Sequence, residues 1–145
     1  MRMTVLSDYS LRVLMYLAVR RERLVTIQEI ANAYKISENH LMKVVHGLSK
    51  SGFVETVRGR GGGMRLGRPP EEITIGAVLR TSEEDFDLVE CFGENDNCQI
   101  TSVCRLKRIL QKALKAYLDE LDSWTIADIV KRPKLFLDAL AINEA

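Results

Sequence analysis

The chain has 145 residues, of which 46% are hydrophobic, enough to bury one core with an extension. It has no run of about 18 apolar residues, which excludes a membrane span, and no apolar signal core near Met1, so we expect a cytoplasmic protein. The net charge of +1 hides an asymmetry: residues 1–70 carry 12 Lys/Arg against 5 Asp/Glu, whereas residues 71–145 carry 9 against 15. The first half is therefore the candidate for binding a polyanion.

Three amphipathic helices are predicted in the first half. Ser7-Asp8 is typical of a helix start, and the apolar spacing after it predicts a helix over residues 7–20. Thr26 and Glu29 fit a capping box, in which the Thr26 hydroxyl and the Glu29 carboxylate each satisfy a backbone donor. Ser37 is predicted to cap a third helix. The apolar positions of the three helices are Leu11, Leu14, Leu17 and Ala18, then Ile27, Ile30 and Ala31, then Leu41, Val44, Val45 and Leu48.

The second and third helices are separated by about four residues, which is typical of a helix-turn-helix. The N-terminal residues of its second helix are the ones that reach base edges in the major groove. The candidate DNA contacts there are Ser37, Asn39, His40 and Lys43. Glu38 is also expected to face outward, and His46 either does so or is a partly buried polar residue.

A β-hairpin is predicted next, which would be the wing of a winged helix. The β-rich residues 52–57 lead into Arg58-Gly59-Arg60-Gly61-Gly62-Gly63 and then Met64-Arg65-Leu66. The glycines permit a tight turn and a close approach of backbones. Arg58, Arg60 and Arg65 flank the tip, where they can enter a minor groove or bind phosphates. A nucleotide loop is excluded because no Gly-Lys-Ser/Thr opens a helix, and a winged helix that binds protein remains the alternative.

All three cysteines lie in one short segment of the second half. Pro69-Pro70 breaks the chain, residues 74–80 predict a short helix, and Cys91-x6-Cys98-x5-Cys104 follows an acidic stretch. An odd number of clustered cysteines in a reducing compartment favours metal binding or redox sensing over a disulfide framework. The absence of Cys-x2-Cys counts against a zinc ribbon.

A long amphipathic helix is predicted after Cys104. Its apolar positions are Leu106, Ile109, Leu110, Ala113, Leu114, Tyr117, Leu118 and Leu121. Such a stripe, about 30 Å long, needs a partner surface, and we favour a homodimer over folding back on a small domain. Trp124 is interpreted as a core anchor. No nucleophile and base are arranged for catalysis, so no enzyme is expected.

Three segments together carry a family resemblance. They are Ser7-Asp8-Tyr9-Ser10-Leu11-Arg12, the wing over residues 57–67, and the cysteine segment closing on Cys104-Arg105-Leu106. The chain resembles the bacterial Rrf2 family of winged-helix iron–sulfur regulators. The resemblance implies a mainly α fold with a small β-hairpin: a winged helix-turn-helix DNA-binding domain at 1–80, a cluster-binding loop at 81–104, and a dimerisation helix with a C-terminal helical segment at 105–145. It also implies a homodimer on palindromic double-stranded DNA.

The resemblance further implies an iron–sulfur cluster held by Cys91, Cys98 and Cys104. In one branch of the family a histidine three residues after the last cysteine completes a two-iron cluster, and Lys107 stands there in this chain. In the nitric-oxide-sensing branch an aspartate from the other subunit completes a 4Fe-4S cluster, and Asp8 matches it. Asp8 can also complement the helix dipole and pair with Arg12.

Several readings of the cysteine segment remain open. Its x6 first gap differs from the x5 of both branches, so the spacing does not identify the branch. The favoured function is a nitric-oxide-sensing repressor whose cluster is easily lost in air. The alternatives are an iron-responsive repressor, a cluster-free thiol switch that forms a disulfide, and an adaptor that uses the long helix without binding DNA.

Overall fold

A computed structural model describes residues 1–141. The helices are α1 Val5–Val19, α2 Ile27–Tyr34, α3 Glu38–Lys50, α4 Ile75–Ser82, α5 Arg105–Asp122, α6 Ile126–Ile129 and α7 Pro133–Ala139. One hairpin of β1 Val54–Val57 and β2 Gly63–Leu66 and two 3-10 turns, Pro70–Glu72 and Glu90–Phe92, complete the secondary structure. This mainly helical fold with one small hairpin was predicted. Residues 142–145, the end of the predicted C-terminal segment, lie outside the described residues.

Helix α1 runs through the core and begins earlier than predicted. The Thr4 side chain accepts a hydrogen bond from the Ser7 backbone N–H at 3.2 Å, so the helix starts at Val5. The predicted start at Ser7 was wrong because Ser7 is fully buried and its hydroxyl bonds to Ser82. Tyr16 and Leu17, on the buried side of α1, are among the most enclosed side chains of the core.

The α2 cap is only half of the predicted capping box. The Thr26 side chain accepts from the Glu29 N–H at 3.2 Å, as predicted. The Glu29 carboxylate does not return the bond; it accepts from the Arg23 guanidinium and from the Tyr16 hydroxyl at 2.7 Å. A guanidinium is a stronger partner for a carboxylate than a backbone N–H, so this half of the prediction was wrong.

The hairpin is attached to the helical core by a third short pairing. Val25, in the loop before α2, exchanges two backbone hydrogen bonds with Met64 at 2.9 and 2.8 Å. Met64 and Val54 are buried, whereas the rest of β1 is exposed. The base of the wing is therefore fixed to the body, and its tip projects into solvent.

The C-terminal helices pack against the same core as α1. Thr74 caps α4 and forms a bridge with Thr125, which caps α6. Ile126 is fully buried in the same core as α1. Trp124 is 46% exposed, so its interpretation as a core anchor was wrong: the bridge at Thr125 directs Ile126 inward instead. Among the described residues no helix is long and apolar enough to cross a membrane.

Candidate DNA-binding surface and cysteine segment

Helices α2 and α3 with the turn between them form the predicted helix-turn-helix. Lys35 closes α2 in a left-handed conformation (φ 59°), which ends the helix. Ser37 then caps α3, its side chain accepting from the His40 N–H at 3.2 Å. The apolar face of α3 is buried as predicted, at Leu41, Val44, Val45 and Leu48. The opposite face of α3 is consequently presented to solvent.

The outer face of α3 carries the residues expected to approach DNA. Its exposed side chains include Ser37 at the cap, followed by Glu38, Asn39, His40, Lys43 and His46. The alternative of a partly buried His46 is therefore wrong. Met42, 56% exposed, lies on the same face and was missed by sequence reasoning. Its spacing of four and three residues from exposed Glu38 and Asn39 is the helical signal that places it on that face.

The wing has the tight tip that its glycines predicted. Gly59 and Gly61 have φ of 98° and 74°, and a Cβ on Gly62 would lie 2.2 Å from the Val57 carbonyl oxygen. Only glycine fits such a turn without strain. Arg58 and Arg60 lie within this tip, and both are exposed. Their guanidinium groups are thus free to reach a groove or a phosphate.

Arg65 differs from the other two wing arginines. It lies on β2 opposite Glu55, two ladder pairs below the tip. Its Nε donates to the Glu55 carboxylate at 3.1 Å. This hydrogen bond and the guanidinium charge hold the pKa of Glu55 below its ordinary value. The structure therefore places Arg65 away from the tip that it was predicted to flank, with an acidic partner already bound.

A chain of contacts joins the start of α1 to the recognition helix α3. Arg12 donates to both Asp8 carboxylate oxygens at 3.1 and 2.9 Å, the pairing anticipated from their i,i+4 spacing. The Arg12 guanidinium carbon lies 5.5 Å from the Tyr9 ring centroid and 5.9 Å from that of Tyr34. The Tyr9 ring in turn packs edge-on against His40, with centroids 5.3 Å apart. Tyr9 was not singled out from the sequence, because its partner lies on another helix.

The cysteine segment is built from turns. Cys91 lies in the 3-10 turn Glu90–Phe92, Cys98 is exposed, and Cys104 precedes α5. Asp96 orders the middle of the segment by accepting from the Cys98 N–H at 3.0 Å and the Thr101 hydroxyl at 3.1 Å. The same hydrogen bonds lower the pKa of Asp96. Asp96 is a further residue that sequence reasoning missed.

The donor set of the segment fits an iron–sulfur cluster in its chemistry. The three cysteines are free thiols within 14 consecutive residues, and thiolates are the soft ligands that such clusters require. Within residues 1–141, no group of three or more His, Cys, Asp or Glu is gathered in a metal-binding arrangement. Binding a cluster would therefore require the three thiols to come together. If Asp8 were also a ligand of the cluster, its carboxylate would have to leave Arg12.

Helix α5 divides its apolar residues between two faces. One face is half-buried and carries Leu110, Leu114, Leu118 and Leu121. The Arg80 guanidinium of α4 also binds Asp122 at the end of α5, with one hydrogen bond of 2.9 Å. The outward apolar residues Leu106, Ile109 and Tyr117 are 57, 61 and 39% exposed. The predicted helix is confirmed, and its stripe is only partly covered within one chain.

Comparisons with known proteins agree with this geometry. A family model described as "Rrf2: Iron-dependent Transcriptional regulator" matches residues 3–132. The chain is 55% identical over 132 residues to the HTH-type transcriptional regulator NsrR of Bacillus licheniformis, covering 90% of this chain and 92% of that one. It is 51% identical to the NsrR regulator of Bacillus subtilis, covering 99 and 100%. Among solved structures, T. potens IscR superimposes with a TM-score of 0.73 at 28% identity, covering 90 and 87%.

Proposed function

The chain belongs to the Rrf2 family of transcriptional regulators, and on that premise we propose that it is a repressor that senses nitric oxide through an iron–sulfur cluster. The family consists of regulators, so the chain is not an enzyme. The observation that carries the proposal is three free cysteines on one segment of a winged helix whose relatives bear the name NsrR. The family description as iron-dependent supports an iron-containing group.

DNA is bound by α3 and the wing. Asn39, His40 and Lys43 approach base edges in the major groove, because they lie on the exposed N-terminal half of α3. Arg58 and Arg60 anchor the wing tip on phosphates or in the minor groove. Arg65 contributes less than Arg58 and Arg60, because the Glu55 carboxylate already pairs with its guanidinium.

Two chains pair through α5 and bind a palindrome. The outward residues Leu106, Ile109 and Tyr117 form an apolar stripe along a helix about 27 Å long. Exposed apolar residues in such a row are typical of a protein interface. A twofold dimer would present two α3 helices to two half-sites of one operator.

Cys91, Cys98 and Cys104 hold the cluster, and Asp8 of the partner subunit is the proposed fourth ligand. A carboxylate binds iron less tightly than a thiolate, which leaves one exchangeable position. When bound, the cluster would supply iron that reacts with nitric oxide. The favoured form is 4Fe-4S. A 2Fe-2S cluster is less favoured because Lys107 stands three residues after Cys104, where such a cluster would need a histidine ligand. Asp8 then has two partners, iron or Arg12, according to whether the cluster is present.

The test begins with protein prepared anaerobically with iron and sulfide. We expect a brown protein with about four irons per chain, bleached by nitric oxide, and a loss of operator affinity of about tenfold or more on nitrosylation. Asp8→Ala should change the absorption spectrum, whereas Asp138→Ala, a matched exposed carboxylate on α7, should leave it unchanged. Release of DNA by an iron chelator but not by nitric oxide would indicate the iron-responsive alternative.

A thiol switch without a cluster is the second candidate. It is supported by the three free thiols and by the x6 first gap, which differs from the x5 of both cluster-binding branches. A colourless anaerobic protein that forms a disulfide on mild oxidation and then changes its DNA affinity would support it. That result would leave the DNA-binding half of the proposal unchanged.

A further inference from the structure

Tyr9, on α1, is the side chain that packs against the recognition residue His40. Its ring meets the imidazole edge-on at a centroid distance of 5.3 Å and an interplanar angle of 82°, the arrangement that aromatic pairs prefer. His40 is exposed and lies in the first turn of α3. A solvent-exposed imidazole without such a neighbour would lose rotamer freedom on contacting a base, at a cost in affinity.

Tyr9 is itself held in place from behind. It is half-buried and packs against the core, and the Arg12 guanidinium lies within cation–π distance of its ring. The Arg12 backbone carbonyl accepts the Tyr34 hydroxyl at 2.9 Å, a contact that does not depend on Asp8, and in the cluster-free protein Asp8 also accepts two hydrogen bonds from the Arg12 guanidinium. The Tyr9 ring thus has little room to move away from His40.

We infer that Tyr9 is a positioning residue for base reading: its ring orients the His40 imidazole on α3 toward the major groove, and Arg12 keeps that ring in place. The inference rests on the proposed DNA-binding function and adds to it a residue that lies outside both α3 and the wing. It predicts that loss of the Tyr9 ring lowers the preference for a specific sequence more than the general attraction to DNA. That attraction comes from Lys43 and the wing arginines and does not depend on how His40 is oriented.

The binding test uses a duplex that the wild-type protein selects from a randomised library, with poly(dI-dC) as the nonspecific probe. Tyr9→Leu should lower affinity for the selected duplex by about three- to tenfold, the range expected for one aromatic pair. Its effect on the nonspecific probe should be less than about twofold. Tyr9→Phe, which keeps the ring, should restore the wild-type preference.

A double-mutant cycle separates positioning from a general loss of structure. In a His40→Ala background, Tyr9→Leu should have almost no further effect, because the imidazole that it orients is gone. In a Lys43→Ala background the effects of the two changes should add. If Tyr9→Leu lowered the affinity for the selected duplex by the same factor in the His40→Ala and Lys43→Ala backgrounds, the inference would be overturned. A merely structural role of Tyr9 would not depend on the His40 side chain.

A direct reading of the contact comes from the imidazole NMR signals. The chain has two histidines, His40 and His46, so the second serves as an internal control. Tyr9→Leu should shift the ring signals of His40 and leave those of His46 in place, in a protein with unchanged circular dichroism. Unshifted His40 signals would contradict the inference even if the variant were less stable. A wild-type protein that selects no sequence would overturn the proposed function as well, which distinguishes the two failures.

Discussion

The Ser7 hydroxyl lies 2.7 Å from the Ser82 hydroxyl, and this buried hydrogen bond joins the start of α1 to the end of α4. Ser82 also donates to the Val78 carbonyl at 2.9 Å. Next to it, the Thr4 N–H and hydroxyl both donate to Glu83, at 2.9 and 3.0 Å. The first residues of α1, which include Asp8, are therefore held to the helix that leads into the cysteine segment.

Ser7→Ala is expected to lower the free energy of unfolding by about 1 kcal/mol, because the buried hydrogen bond between Ser7 and Ser82 is lost. Ser82→Ala should cost a similar amount. The double variant should cost less than the sum of the two single changes, because each single change already removes the same hydrogen bond. Urea unfolding followed by circular dichroism measures all three. Strict additivity would show that the two hydroxyls stabilise the fold independently.

Glu29 should make stability depend on pH. The Arg23 hydrogen bond lowers its pKa below the ordinary value of 4.5, with desolvation opposing and Tyr16 assisting. A group with a lowered pKa contributes stability that is fully present above its unfolded value and lost as pH falls through the folded one. Glu29→Gln should therefore lower the melting temperature at pH 7 and flatten its decline below pH 4.5. An unchanged acid limb would contradict this role.

Lys43→Ala and Arg60→Ala should each weaken DNA binding and reduce the slope of log K against log salt by about one. Arg65→Ala should have a smaller effect on both quantities, because Glu55 already neutralises that guanidinium. Fluorescence anisotropy across a salt series measures the slopes. An Arg65→Ala slope change as large as that of Arg60→Ala would contradict this smaller role of Arg65.

Ile109→Glu should shift the protein toward monomer, because it places a charge in the outward apolar stripe of α5. Gln111→Glu introduces the same charge on the same helix at an exposed position and is the matched control. Sedimentation equilibrium distinguishes the two masses. A dimer that survives Ile109→Glu would place the interface elsewhere.

Asp8→Ala should have little effect on the stability of cluster-free protein. The Asp8–Arg12 pair is an i,i+4 ion pair with both side chains more than a third exposed, and such pairs contribute about 0.3–0.5 kcal/mol. The same change should alter the spectrum of cluster-loaded protein. Thermal unfolding of both forms measures the contrast. A large loss of stability in the cluster-free form would assign Asp8 to the fold instead.

Much of the fold follows from local patterns in the sequence. Buried residues of α3 recur at helical spacing, Ser37 is a typical cap, and glycines mark the wing tip, so these elements could be predicted within a few residues. The outer face of α3 follows from the same spacing, because residues that are not on the buried side face solvent. The positions of the three cysteines could likewise be read directly.

Local sequence patterns predict which segments are helical or extended, and which residues of the recognition helix face outward, because those properties depend on neighbours within one or two turns. Only the folded structure shows which polar side chains pair between distant segments of the chain. Ser7 binds Ser82, 75 residues away, and Tyr9 packs on His40 across two helices. Such pairings result from competition among side chains that only the folded chain brings together, and no local pattern records its outcome.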